Sequence, residues 1–180
     1  MGRDKALLPW GEGTLLDHAV ARLSAVCPDT RVLCGAAPRY EGHGAPVVPD
    51  RVPGAGPLGG LQAALTVLAG TPGGCALLLG VDMPFVTEDV LRALLAWSEG
   101  HDAAVPVLED GPQPLCAVYG VSCGPAVEER LLRGDLRMTG FWDAVRVRRV
   151  TSAELRALGN PAHLFQNLNH PAEYEDARPR

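Results

Sequence analysis

Apolar positions along the chain switch between a helical spacing and short unbroken runs, and the order of those switches predicts the fold. Leu15, Leu16, Ala19, Val20 and Leu23 fall on one stripe of a helix, with Thr14 placed to cap its first turn. A short strand is expected at Arg31–Cys34 and another ending Val47-Val48-Pro49-Asp50. The run from Pro53 to Gly60 then leads into a helix carrying Leu58, Leu61, Ala64, Leu65 and Leu68 on one face. Cys75–Leu79 is apolar without alternation and bounded by glycines, the pattern of a strand covered on both sides. Thr87 caps a helix through Val90, Leu91, Leu94 and Leu95. Ala103–Leu108 and Leu115–Tyr119 read as strands around Glu109-Asp110-Gly111-Pro112, followed by a helix over Ala126–Leu132 and a strand over Val145–Val150. Strands alternating with helices predict an α/β fold: a single Rossmann-like three-layer domain, with a mostly parallel sheet and helices on both faces. The domain is expected over residues 1–174, with 175–180 a frayed tail.

Composition narrows the function classes. Hydrophobic residues make up 47% and charged ones 21% of 180 residues, as in a folded globular protein rather than a disordered one. A net charge of −5 without a basic block argues against a general nucleic-acid binder, though not against one nucleotide held by local groups. No apolar run approaches the roughly 18 residues of a membrane span, and the polar, proline-interrupted opening is unlike a signal peptide, so the expected location is cytoplasmic. The five cysteines show no Cys-x-x-Cys spacing and do not cluster with the five histidines, so reduced thiols are expected in place of a zinc site.

Candidate chemistry sits where strands end. Fifteen of the sixteen cationic residues are arginine; the one lysine, Lys5, is a compact point charge of the kind that serves phosphate groups, or a solvated survivor of an arginine-biased composition. Asp82 follows the Leu77-Leu78-Leu79 strand and faces the ligand crevice expected beyond strand carboxyl ends, either as a Mg²⁺ ligand or as a turn residue before the next helix. Asp50 ends the shorter strand in the same way, with a turn role as its alternative. Gly54–Gly60 offers backbone N–H groups at a helix start. Asn167 and Asn169 alternate along a stretch that places both amides on one side if extended, while Glu173 is positioned to support the last helix.

Taken in order, these segments resemble the molybdenum cofactor guanylyltransferase family. The family opens with a strand and a glycine-rich loop whose last part matches Met1-Gly2-Arg3-Asp4-Lys5-Ala6-Leu7. Thr14-Leu15-Leu16-Asp17-His18, Asp50, Gly56-Pro57-Leu58-Gly59-Gly60, Asp82-Met83-Pro84, Gln113-Pro114-Leu115 and Asn167-Leu168-Asn169-His170-Pro171-Ala172-Glu173 follow in the family's order. The resemblance implies transfer of GMP from GTP to the terminal phosphate of molybdopterin, with release of pyrophosphate. It implies Lys5 on the triphosphate and Asp82 on Mg²⁺, both as catalytic residues. Asp50, Gly56, Pro57 and Leu58 would line the nucleotide site, and Asn167 and Asn169 would lie near the metal or the acceptor. Cofactor-delivery proteins or molybdoenzymes are the implied transient partners. Two departures carry expectations of their own. The family's first strand precedes its methionine, so one central strand is expected to be absent from these 180 residues. The absent loop leaves a non-catalytic nucleotide- or cofactor-binding module as an alternative, and Gly35-Ala36-Ala37 lacks the amide that the family places near the base, which leaves a related enzyme using another nucleotide such as CTP.

Overall fold

The computed structural model describes residues 4–37 and 39–179; the Met1–Arg3 part of the opening motif lies outside them. A 3₁₀ turn at Lys5–Leu7 leads to a small hairpin, β1 (Pro9–Trp10) and β2 (Gly13–Thr14), and to helix α1 (Leu15–Ser24). The strands β3 (Val32–Leu33) and β4 (Val47–Val48) pair in parallel, and helix α2 (Gly56–Val67) follows. Then come β5 (Cys75–Leu79), α3 (Glu88–Trp97), β6 (Ala103–Leu108), β7 (Gly111–Pro112), β8 (Cys116–Gly120) and α4 (Gly124–Leu132). The chain closes with β9 (Val147–Thr151), α5 (Ser152–Leu155), α6 (Pro161–Leu164) and α7 (Pro171–Ala177). Side chains set the predicted helix starts: Thr14 Oγ1 accepts from Asp17 N while Asp17 Oδ2 accepts from Thr14 N, and Thr87 accepts from Val90 N. Helix α7 runs to Ala177, past the tail expected from residue 175, because Tyr174 and Ala177 pack on Trp10, Leu15 and Leu168.

Five strands form the main sheet, in which β8 lies between β5 and β6, β9 pairs the far edge of β6, and β7 folds back on the end of β6. Pairing of β6 with β9 is parallel, from Ala103↔Val147 to Val107↔Thr151. The sheet is mixed where a mostly parallel one was expected: β8 runs antiparallel to both β5 and β6, so β5, β6 and β9 share one direction and β8 opposes them. The reason is the short connection from β6 through β7, which returns the chain without a crossover helix.

Alternation along these strands builds the three expected layers. Ala104, Cys116, Val118 and Val150 meet Val90, Leu91 and Leu94 of α3 on one face. Ala103, Val105, Ala117 and Tyr119 meet Leu58, Leu61 and Leu65 of α2, Val127 of α4 and Phe141 on the other. Phe141 and Tyr119 are fully buried with ring centroids 6.0 Å apart, and the Tyr119 hydroxyl donates to the Pro114 carbonyl at 2.9 Å. Each such side chain stabilises the fold by roughly 1.5–3 kcal/mol through apolar burial.

The remaining strands stand apart. Val32 of β3 joins Ala6, Leu16 and Val20 in a smaller cluster, and β3–β4 pairs with no strand of the main sheet among the described residues. Between β3 and β5 lie two adjoining cavities, of about 280 and 340 Å³, which share Leu23, Leu33, Leu77 and Leu78 in their walls. As expected, Cys75–Leu79 is covered on both faces, Leu77 and Leu79 on the α3 side and Ala76 and Leu78 on the α2 side, but Cys75 is exposed and Ala76–Leu79 are only half-buried because one edge of β5 faces this apolar gap. No helix among the described residues is long and apolar enough to cross a membrane.

Candidate active site

The carboxyl end of β5 organises the polar residues. Past Leu79 the chain makes a tight turn: Gly80 N donates to the Leu115 carbonyl at 2.7 Å, and Met83 N donates back to the Gly80 carbonyl at 3.1 Å. This turn presents Asp82. A side chain at Gly80 would put its Cβ 2.9 Å from Asp82 Oδ1, so glycine is required for the carboxylate to hold its position. The Asp82 carbonyl accepts from Leu168 N at 2.9 Å, which stitches the extended segment Asn167–Asn169 to the turn. Leu168 is buried against Trp10 and Tyr174, and the flanking asparagines face the other way, as the alternation predicted. Glu173 accepts from the backbone N–H of both Asn169 and His170, and these bonds hold its carboxyl below the usual carboxylate range. Sequence reading gave Glu173 a helix-capping role; its second bond, to Asn169, makes it a positioning residue for that amide.

Lys5 closes the arrangement from the other end of the chain. Its Nζ donates to Asn169 Oδ1 at 2.8 Å and to Asp82 Oδ2 at 3.3 Å. The turn that carries it is pinned by Asp4, whose carboxylate accepts from Ala6 N at 3.1 Å and from the Tyr40 hydroxyl at 2.6 Å. Burial and the neighbouring carboxylate push the Tyr40 phenol up to about 12, so it remains a donor across the physiological range. The Lys5 and Asp82 side chains are 31% and 23% exposed. An ion pair this open contributes at most about 1 kcal/mol to stability, so the arrangement is better understood as a site open to ligands than as a structural bridge. Among the described residues no three His, Cys, Asp or Glu side chains cluster. Asp82 and Asn169 nevertheless present two oxygen donors to one cation, here the Lys5 ammonium, and Mg²⁺ commonly takes one or two protein oxygens and completes its shell with water and phosphate.

Asp50, Gly56 and Pro57 lie together along the mouth of the 340 Å³ cavity, with Gly35, Gly80 and Val81. Asp50 stands over the first turn of α2: its Oδ2 is 3.3 Å from where a Cβ on Gly59 would sit, and that Cβ would also fall 2.8 Å from the Ala55 Cβ. The glycine pair Gly59-Gly60 therefore admits the carboxylate. Asp50 Oδ1 is buried without a hydrogen-bond partner, and burial raises its pKa. Leu58 is the exception among the predicted nucleotide-site residues. It is fully buried in the core with Leu61 and Leu65, since its place on the helical stripe turns it to the sheet. Asn167 and Asn169 line a further cavity of about 570 Å³ under the turn that joins β6 and β7. Apart from Leu58, the predicted residues thus gather near strand carboxyl ends, with Lys5 in direct contact with Asp82 and Asn169, Asn169 lining one cavity and Gly80 and Val81 beside Asp82 lining another.

Residues 1–150 match the family model for the MobA-like NTP transferase domain. A probable molybdenum cofactor guanylyltransferase of Pelotomaculum thermopropionicum is 35% identical over 99% of this chain and 85% of its own length. A protein of Deinococcus radiodurans with the same description is 38% identical over 96% of this chain and 84% of its own. The crystal structure of molybdopterin-guanine dinucleotide biosynthesis protein A from Archaeoglobus fulgidus superposes with a TM-score of 0.80 at 26% identity, covering 98% of this chain and 90% of that one. The chain belongs to the MobA-like NTP transferase family and is a nucleotidyltransferase.

Proposed function

We propose that this nucleotidyltransferase moves GMP from GTP to the terminal phosphate of molybdopterin and releases pyrophosphate. The observation that carries the reading is the contact of Lys5, Asp82 and Asn169, with Asn169 on the wall of one cavity and Gly80 and Val81, next to Asp82, on the wall of another. Two substrates that must meet at one phosphorus need room on either side of the charged groups, and the names of the relatives point to these two. A phosphate oxygen of the acceptor attacks the α-phosphorus of GTP. The new P–O bond forms in line with the bond to the bridging oxygen of the leaving pyrophosphate, which departs with the electron pair. No protein nucleophile is required. The Lys5 ammonium offsets charge on the α-phosphate and the pyrophosphate, moving from its carboxylate and amide partners to the phosphates. Asp82 and Asn169 would hold Mg²⁺, which supplies Lewis-acid stabilisation of phosphate oxygens.

Asp50 supports the choice of base. A carboxylate only accepts hydrogen bonds, and its unpartnered Oδ1 beside Oδ2 suits the adjacent N–H and NH₂ donors of guanine better than the single amino group of cytosine. With no amide at Gly35-Ala36-Ala37, base selection rests on this carboxylate. The test is steady-state nucleotidyl transfer to molybdopterin with GTP and with CTP. GTP is expected to be the better substrate, Asp82→Asn to lose about 100-fold or more in turnover, and Lys5→Ala and Lys5→Arg both to be impaired, since a guanidinium is larger and planar. Equal use of CTP would favour the cytidylyl alternative, absence of transfer with retained GTP binding the non-catalytic one. Full activity in Lys5→Arg would remove Lys5 from the mechanism.

A further inference from the structure

The 570 Å³ cavity has a lining of its own. It is bounded by Asp110 of the β6–β7 turn, Arg156 just past α5, Asn160 at the start of α6, Phe165, Asn167 and Asn169. Its size falls within the roughly 300–1,000 Å³ of small-molecule sites. Most described arginines pair with a carboxylate, as Arg146 does with Asp102, Arg148 with Glu154 and Arg130 with Asp135. Arg156 makes no such pair among the described residues, although Asp110 borders the same space. Asn160 spends its Oδ1 on the N–H of Ala162 and keeps its amide nitrogen for another partner. Phe165 is 3% exposed and supplies an apolar wall.

This lining does not suit a second polyphosphate. One guanidinium stands against the carboxylates of Asp110 and Glu109, so a multiply charged anion would meet as much repulsion as attraction. It suits a neutral, flat heterocycle whose edge alternates donors and acceptors. We infer that this cavity seats the fused-ring amino-oxo heterocycle of the acceptor, with Asp110 and Arg156 as its recognition pair. In a pterin the ring N–H and amino group donate to a carboxylate, and the neighbouring carbonyl and ring nitrogens accept from a guanidinium or an amide. Asn169 borders this cavity and also touches Lys5, so an acceptor whose phosphate reaches Lys5 and Asp82 directs its ring into the space. The sequence offered no sign of this, because Asp110, Arg156 and Asn160 belong to no motif and sit on exposed turns.

The assignment rests on the guanylyl-transfer reading for the identity of the acceptor, and two measurements keep them separable. In steady-state transfer, Asp110→Asn and Arg156→Ala are each expected to raise the KM for molybdopterin about 10-fold or more, the worth of one hydrogen bond to a charged group, with the KM for GTP and the melting temperature unchanged. An unchanged acceptor KM, or an equal rise for GTP, overturns the assignment. A titration with 6-hydroxymethylpterin, followed by its fluorescence and needing no turnover, forms the second arm. If the protein transfers no GMP yet binds this pterin, and Asp110→Asn weakens the binding, the cavity assignment stands while the reaction reading falls. Pterin binding that is absent, or indifferent to both substitutions, overturns the assignment whatever the transfer assay shows.

Discussion

On one side of β5 the residues Cys75–Leu79 pair along their whole length with β8, and beyond β8 the sheet continues through β6 to β9 with helices packed on both faces. On the other side the same residues face two apolar cavities, across which the two-residue strands β3 and β4 are held by α1 and α2. The candidate site straddles this difference. Asp82 and the turn before β7 spring from the packed half, whereas Asp50 stands at the end of β4 in the loose half. Asp82 and the residues proposed for the acceptor are therefore based on the packed half, whereas Asp50, proposed for the base, and Lys5, whose turn packs through Ala6 on the β3 cluster, are held on the far side of the gap.

Stability measurements separate the two halves most directly. Phe141→Ala, in the packed half, should cost about 3–5 kcal/mol by chemical denaturation, while Leu33→Ala, on the gap, should cost about 1 kcal/mol or less because its surroundings are already incompletely filled. Equal losses would mean that the gap is no weaker than the core. A second test fills the gap: joining an apolar five-residue strand and a glycine-rich loop ahead of Met1 should raise the melting temperature by roughly 5 °C and tighten GTP binding, as the edges of β3 and β5 gain a shared partner. No change in either quantity would show that the edges do not accept a strand. The smallest effect lies far from the gap, where Asp102 holds β9 to β6 by accepting from Arg146 N at 2.8 Å and from Ser122 Oγ at 2.8 Å. The Arg146 guanidinium and backbone N–H, with Ser122, hold the Asp102 carboxyl at about 2, below its usual 3.8. A depressed carboxyl pKa stabilises the fold above the unfolded value and ceases to do so as pH falls through the folded one. Asp102→Asn should thus lower the melting temperature by about 2–4 °C at neutral pH, and the difference should shrink on titration from about pH 4 towards pH 2. A difference constant with pH would remove the charge from the explanation.

Much of the packed half was legible in the sequence, because it follows from local rules. Thr14 and Thr87 announced their helices through capping chemistry, and the stripe from Leu58 to Leu65 announced its buried face. Strand direction was not legible: Cys116–Gly120 reads the same in either sense, and only the hairpin through Gly111-Pro112 fixes it as antiparallel. The half-burial of Ala76–Leu79 was hidden for a related reason, since an apolar run records what a strand can bury and not whether a neighbour is present along its edge. At the site, Lys5, Asp82 and Asn169 were found from residue type and from their place in the order of motifs, and the structure brings them into contact. Leu58 stands apart from them because its motif position and its helical phase point to different roles, and the phase turns its side chain to the core. Gly80 and the Leu168 N–H left no signal, because one acts by lacking a side chain and the other through its backbone.

The hydrogen bond from Lys5 to Asn169 spans 164 positions of the chain. One partner sits on the turn ahead of β1 and the other on the segment ahead of α7, so the bond ties together stretches that share no secondary-structure element. The segment around Leu168 is in turn moored by its N–H on the Asp82 carbonyl, and without that mooring Lys5 and Asp82 would lack the amide that joins them. The three-way contact therefore depends on the tertiary fold and on no single element. A proteolytic cut between Phe165 and Leu168 would loosen it while leaving every strand of the main sheet in place.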